Sequence, residues 1–293
     1  MRALSAVNTP EIASVVDQPK MPAEPASRES GTLFLVPTPL GIGDDPLRVL
    51  PPSTVQAIHR IDYVIAENAR SARAVLGKLG LLNPLQAIEI RELNLRTAPD
   101  QIPALLAPLR AGRDAALLSE AGCPAVADPG ALLVELAHRE HLRVAPLIGP
   151  SSILLALMAS GMNGQRFAFA GYIPVPEDER TQRIRELEQR SAREDETQLL
   201  IETPYRNQSL LEALTRQLQD STMLAIASDL SLPGECIDSR TIAGWRHRPP
   251  DLARVPTVFA FYAAGSLRAR PPRQGRPANT SQQRSIRAKS KRR

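Results

Sequence analysis

Two cysteines, Cys123 and Cys236, are all that the 293 residues contain. They cannot build a disulfide framework, and they lack the paired spacing of a zinc site. The histidines, His59, His138, His141 and His247, form neither a triad nor a metal set by spacing, so no metal is expected. No apolar run approaches the roughly 18 residues that a membrane span needs. The first residues, MRALSAVNTPEIASVVDQPK, have neither a basic start nor a long apolar stretch, so a secretory signal is not expected and the cytosol is. Lysine is scarce, four of 36 basic residues, a skew that coding bias alone can produce. Nucleotide fingerprints are missing as well. No G-x-x-x-x-G-K-[ST] exists, which removes the ordinary P-loop ATPase. Gly41 and Gly43 begin a G-x-G-x-x-G, but Pro46 stands where the third glycine belongs.

What is present is an ordinary folding body with unusual ends. Apolar residues make up 43% of the chain, near the globular share, and its length suggests one large or two modest domains. The formal net charge of +5 is unevenly spread. Residues 266–293 hold ten Lys or Arg and no acid, leaving 26 basic against 31 acidic groups, a net of −5, in the rest. That tail combines like charge with Pro, Gly, Gln and Ser, and residues 1–30 are rich in Pro, Ala, Ser and Glu, so both are expected to be disordered arms. The tail suits either solubilisation or a salt-dependent grip on RNA phosphates. It carries no aromatics for base stacking.

From Gly31 the pattern is α/β. Strand signals TLFLV (32–36), YVIA (63–66), AALLS (115–119) and LRVAPL (142–147) alternate with helical signals near 69–79, 100–111 and 130–140. Such alternation indicates βαβ units and a mainly parallel sheet. Helices at 150–161, 177–193 and 206–219 then accompany strand signals FAFAGY, TQLLIE, TMLAIAS, ECIDSRTIAG and PTVFAFYA. Fewer helices separate the last strands, which suggests a mixed second sheet. The expected divisions are an arm at 1–30, an N-terminal α/β domain at 31–148, a C-terminal α/β domain at 149–265 and the tail at 266–293.

Three segments carry the chemistry. TPLGIGDDP (38–46) follows the first strand, at the carboxyl edge where α/β proteins bind ligands. SEAGCPAVADPG (119–130) joins a strand to a helix, with Asp128 and Pro129 suited to N-cap and N1 and Gly122 to close ligand approach. PLIGPSSILLALMASG (146–161) ends a strand and opens a helix at Ser151 and Ser152, where free N–H groups suit a carboxylate or phosphate as readily as a plain cap.

In order and spacing these segments, with GTLFLVPTPLGIGD, DYVIAENARSARAVL and LLIETPYR, resemble the tetrapyrrole methylase superfamily over about Gly31 to Ala263. That superfamily includes precorrin methyltransferases, diphthine synthase and the ribosomal RNA small-subunit methyltransferase I group, which methylates a ribose 2′-hydroxyl; the resemblance is closest to the last. It implies an S-adenosylmethionine-dependent methyltransferase, with the donor folded between two α/β domains, and a homodimer. Carried over by position, donor contacts come from Pro39, Leu40, Cys123, Val126, Ala127, Ser152, Ile153, Glu202, Pro256 and Thr257. The chain departs from that group where AENARSAR stands for AEDTRHTR and IETPYRN for a YES-x-HR motif, as a sister branch would. The departure touches the substrate more than the donor.

Methyl transfer depends heavily on placing the nucleophile, and a carboxylate that takes a hydroxyl proton would help. Glu67 and Glu202 are the candidate acceptors. Glu67 has a structural alternative, pairing with Arg70 or Arg73. Those two arginines share a helix face and, with Arg206, could hold RNA phosphates, although solvation is the commoner fate of an arginine. The expected activity is methylation of ribosomal RNA. The alternatives are a small-molecule, tetrapyrrole-like methylase and a non-catalytic RNA- or ribosome-binding protein that keeps the fold.

Overall fold

The structure is a computed structural model that describes residues 30–41, 44–252 and 254–263. The tail expected at 266–293 and all of the arm except Ser30 lie outside the described residues.

The first half builds one parallel sheet. Strands β1 (Thr32–Val36), β2 (Tyr63–Ala66), β3 (Glu89–Glu92), β4 (Ala115–Leu118) and β5 (Arg143–Pro146) run in the order β3-β2-β4-β1-β5, every neighbouring pair parallel. Parallel pairing requires a crossover between consecutive strands. Helices α1 (Pro52–Ala57), α2 (Ala69–Leu76), α3 (Ile102–Leu105), α4 (Ala107–Arg110) and α5 (Ala131–Arg139) supply them. One face of the sheet packs Leu33, Ile65 and Leu117 against Ile102, Leu109 and Leu133; the other packs Val36, Val64 and Leu118 against Ile58, Ala72 and Leu76. Covered on both sides, β2 and β4 are buried along their whole length and read as unbroken apolar runs.

Two local expectations change. The helix expected over 100–111 is broken into α3 and α4 because Pro103 and Pro108 each remove an N–H and are tolerated only in a first turn. Strand β3, EIRE, carried no strand signal because its charges belong to a sheet edge, where they discourage pairing with another chain.

The second half forms the expected mixed sheet. Strands β6 (Phe167–Gly171), β7 (Thr197–Ile201), β8 (Met223–Ser228), β9 (Cys236–Thr241) and β10 (Thr257–Tyr262) lie in the order β6-β7-β10-β8-β9, with β6 and β7 parallel and the other pairs antiparallel. Its helices are α6 (Ser152–Ser160), α7 (Glu177–Glu194), α8 (Asn207–Gln217) and α9 (Ile242–His247). The period-two alternation sorts side chains by size. Leu224, Ile226, Phe259 and Phe261 face α7 and α8, whereas Ala225, Ala227, Val258 and Ala260 face α6. The small residues let α6 lie close to the sheet. The strand signal ECIDSRTIAG ends early, at Thr241, whose hydroxyl accepts from the Gly244 N–H and caps α9. Among the described residues no helix is long and apolar enough to cross a membrane.

Phe259 is fully buried between β7, β8 and the α7/α8 layer, so Phe259→Ala is expected to cost about 3–5 kcal/mol. Leu95, 94% exposed, should tolerate Ala within about 0.5 kcal/mol. Urea unfolding of both variants checks the difference.

Candidate functional site

Because all strands of the first sheet run one way, the segments after β1, β2, β4 and β5 meet at a single edge. Backbone bonds knit two of them: the Thr38 N–H donates to the Gly122 carbonyl at 2.9 Å and the Gly122 N–H returns to Thr38 at 3.1 Å. The Ser119 hydroxyl donates to the same Gly122 carbonyl, and the Thr38 hydroxyl to the Ser119 carbonyl. Gly122 sits at φ +76, and a Cβ there would meet the Leu40 side chain at 3.3 Å. The third segment joins through Cys123, whose thiol donates to the Pro150 carbonyl at 3.4 Å. Ser151 caps α6, its hydroxyl accepting from the Leu154 N–H, and the N–H groups of Ser152 and Ile153 precede the intrahelical ladder.

The facing wall comes from the ends of β7, β8 and the start of β10. Asn207, fully buried, donates to the Val255 carbonyl at 2.6 Å, and Thr257 donates to that carbonyl at 3.0 Å. The Asp229 N–H donates to the Pro256 carbonyl, and the hydroxyls of Ser228 and Thr257 lie 3.1 Å apart. Pro256 and Thr257 are thus fixed from three directions. Across the gap, Gly41 approaches Leu232 so closely that a Cβ would lie 2.4 Å from its methyl.

Two adjoining cavities fill the cleft. One, ≈ 180 Å³, is lined by Leu40, Ser152, Glu202, Pro256 and Thr257 among others. The second, ≈ 110 Å³, is lined by Cys123, Val126, Ala127, Asp128, Ile153 and Tyr172, and the two share Ala121, Ser152 and Ile201. Every residue expected to touch the donor lines one of them except Pro39, which is buried. A larger cavity, ≈ 480 Å³, lies beyond Asp229 beside β9 and α9, away from these loops.

The charged candidates separate. Glu202 is held by Arg206 at 2.6 Å and by the N–H and hydroxyl of Thr203, and only 6% of its side chain is exposed. Arg206 is therefore engaged with Glu202, and its guanidinium lies over the exposed Tyr205 ring. Arg70 and Arg73 are exposed on α2 and, among the described residues, neither pairs with Glu67. Glu67 faces Glu120, and burial with that like charge raises its pKa. Burial likewise pushes the Cys123 thiol up, which keeps it protonated.

Asp128 corrects the capping expectation. The helix begins at Ala131, not Pro129, and its N-cap is Gly130 at φ +135 with no side-chain cap. Ala125 and Ala127 both adopt left-handed backbone, φ +65 and +64, which sparing use of non-glycine residues normally avoids. The turn so formed carries the Asp128 carboxylate to the cavity instead of to the helix end. Burial foremost, then Glu67 and Glu120, push its pKa up to about 7. Tyr172, which lines the same cavity, is raised by burial and by Asp128, Glu202 and Glu67. Sequence reasoning missed Asp128 as a site group, together with Tyr172, Asp229 and Asn207. A D-P-G string reads most simply as a cap, and no local signal marks the others.

The tetrapyrrole (corrin/porphyrin) methylase family matches residues 37–243. A protein of Mesorhizobium japonicum named ribosomal RNA small subunit methyltransferase I is 34% identical over 218 residues, 74% of this chain and 68% of that protein. One of the same name from Xylella fastidiosa is 32% identical over 214 residues, 73% of each. Among solved structures, the methyltransferase CobJ superposes with a TM-score of 0.54 at 20% identity, over 80% of this chain and 94% of that one, a likeness of fold.

Gly122→Val places a branched side chain at a positive φ and against Leu40, inside the cleft. Calorimetry should find the Kd for S-adenosylmethionine raised about tenfold or more, a loss of at least about 1.4 kcal/mol. Unchanged affinity would remove the donor from this cleft.

Proposed function

Given that the chain belongs to the tetrapyrrole methylase family and is an S-adenosylmethionine-dependent methyltransferase, we propose that its acceptor is ribosomal RNA of the small subunit, methylated at a ribose 2′-hydroxyl. The observation that carries this reading is the name shared by relatives about 30% identical over some three quarters of the chain. When bound, the donor supplies a methyl group on a sulfonium. The cleft suits it in two respects. Ile201, Ala227, Leu230 and Val258 offer an apolar wall for a purine face, and the free N–H groups of Ser152 and Ile153 offer donors for an amino-acid carboxylate. Leu40, Cys123, Val126, Ala127, Glu202, Pro256 and Thr257 complete the donor set, and Pro39, buried beside Leu40 in sequence, lines neither cavity.

The chain's own contribution is position. Backbone loops fixed by the Thr38–Gly122 bridge and by the Asn207–Val255 bond hold the donor between two rigid sheets, so that an acceptor need only be aligned. Arg70 and Arg73, exposed beside the same edge, are the proposed phosphate contacts, while Arg206 acts through Glu202 and the stacked Tyr205. The basic residues of 266–293 add a longer-range hold on RNA against a body of net charge −4. A ribosomal substrate goes with a cytoplasmic location. The division into domains at 31–148 and 149–265 is supported by each sheet falling within one of those segments. A homodimer is supported by the apolar, solvent-facing residues Ile148, Leu154 and Met158, the last 78% exposed, around a helix that is apolar on every side.

Mass spectrometry of small-subunit ribosomal RNA from cells lacking the gene should reveal the loss of one ribose methylation, restored by the intact chain. An unchanged methylation pattern overturns the acceptor. Removal of 266–293 should flatten the salt dependence of RNA binding, since each lost phosphate contact lowers the slope by about 0.7–0.9.

A further inference from the structure

Among the described residues, two carboxylates that line the cleft, Asp128 and Asp229, have neither an ion pair nor a side-chain hydrogen bond; Asp229 lies between the larger of the two cleft cavities and the one beyond it, and Asp128 is the carboxylate of the smaller cavity. Glu202 is neutralised by Arg206 at 2.6 Å. Glu120 accepts from the Ser71 hydroxyl at 3.3 Å, outside the cavity linings. Asp128 lines the cavity next to Val126 and Ala127, and it is delivered there by left-handed backbone at Ala125 and Ala127, with Gly130 at positive φ after it. Left-handed backbone at alanine is costly and persists where the surroundings impose it, a pattern that clusters at functional sites. The side chain that would otherwise lower this cost by capping α5 does not do so.

We propose that Asp128 is the proton acceptor of the methyl transfer, a catalytic residue that faces the reacting hydroxyl across the smaller of the two cavities. The proposal rests on a hydroxyl acceptor, as inferred above. The hydroxyl oxygen forms a bond to the methyl carbon, the carbon–sulfur pair stays on sulfur to leave a neutral thioether, and the hydroxyl proton passes to a carboxylate oxygen of Asp128 and thence to water. A carboxylate held near neutrality is a far better acceptor than one near 4, because catalytic efficiency peaks when the group's pKa lies near the working pH. The groups that face Asp128 explain the tuning. Glu67 after β2 and Glu120 on its own loop raise it, Tyr172 after β6 faces it neutral, and the Glu202–Arg206 pair after β7 brings little net charge. Glu67 is in this account a positioning residue that works through Asp128, not the acceptor itself.

The sign of the stability effect follows. Asp128 binds its proton more tightly in the fold than in the open chain, so ionising it costs stability, an effect absent below about pH 4 and complete above about pH 7. Asp128→Asn should therefore raise the Tm at alkaline pH and leave it unchanged in acid, whereas loss of a structural cap would lower it throughout.

The test uses the full chain, tritiated S-adenosylmethionine and small ribosomal subunits from cells lacking the gene. In the intact protein kcat should rise with pH about a midpoint near 7, and carbon-13 NMR of the donor-free protein should find the Asp128 carboxyl titrating there. Asp128→Asn should lower kcat by roughly 10²–10⁴-fold, with donor affinity within about twofold by calorimetry. Glu67→Gln should move the midpoint of the kcat profile to lower pH, as removal of a like charge beside Asp128 requires. An Asp128→Asn enzyme with full kcat, an Asp128 titration near 4, or a Tm lowered at alkaline pH overturns the proposal. An intact chain that binds donor but leaves these subunits unmethylated overturns the ribosomal acceptor instead, and the NMR titration then still decides the state of Asp128.

Discussion

The exchange of two backbone hydrogen bonds between Thr38 and Gly122 is the constraint on which the site depends. It ties the segment after β1 to the segment after β4 where the sheet itself has ended. Leu40, one side of the donor cleft, can then reach the second half and pack with Ile153, Ala227 and Val258. Gly41 touches Leu232 from the same loop. Without that bridge the two sheets would still fold, since their cores are separate sets of residues, but no common wall would join them. The cleft is thus a property of loop registration more than of either sheet. A backbone bridge serves this purpose better than a salt bridge would, because it fixes distance and direction together and places no charge beside a sulfonium donor.

The same edge also explains why acidic groups accumulate where they do. In a parallel sheet every strand delivers its carboxyl end to one side, and here Glu92 ends β3 while Glu67 and Glu120 lie just past β2 and β4. Glu92 is used structurally, accepting from the Ala69 N–H at the start of α2, and Glu120 accepts from Ser71. The charges of Glu67 and Glu120 are nevertheless felt by Asp128, which enters the same region by a strained turn. The arrangement is unfavourable for stability and useful for chemistry, a conflict that marks functional sites more often than structural ones.

Much of this was legible in the chain. The apolar pattern located TLFLV, YVIA, AALL and TVFAFY, the last three buried along their whole length, because burial on both faces leaves a nearly unbroken apolar signature. The glycines and small residues of 119–130 and 146–152 announced a loop-built cleft. What the sequence concealed was governed by the third dimension. EIRE pairs only at an edge and so carries no strand pattern. Asp128 precedes Pro129 and Gly130 as a capping residue would, and only the positive φ values at Ala125 and Ala127 reveal that the chain has turned it elsewhere. Asn207 and Thr257 are 50 positions apart, yet both reach the Val255 carbonyl, a convergence that no local spacing encodes.

Electrostatics at two scales give the molecule its division of labour. A body of net charge −4 with carboxylates at its cleft repels a polyanion on approach, so the RNA acceptor proposed above has to be drawn in by charge placed elsewhere. In that proposal the ten basic residues of 266–293 supply the attraction, together with Arg70 and Arg73 exposed on α2. Inside, the opposite demand applies. A positively charged donor and a proton acceptor of raised pKa both require that cations be kept away from Asp128. The engagement of Arg206 by Glu202 satisfies this demand, since a guanidinium is retained at the rim while its field is largely cancelled at the cavity. Attraction of substrate and basicity of the acceptor would conflict if the same arginines served both. Their separation, with the attracting charge in residues 266–293 and the neutralised pair at the cleft, is what the proposed action on a nucleic acid requires of an acidic body.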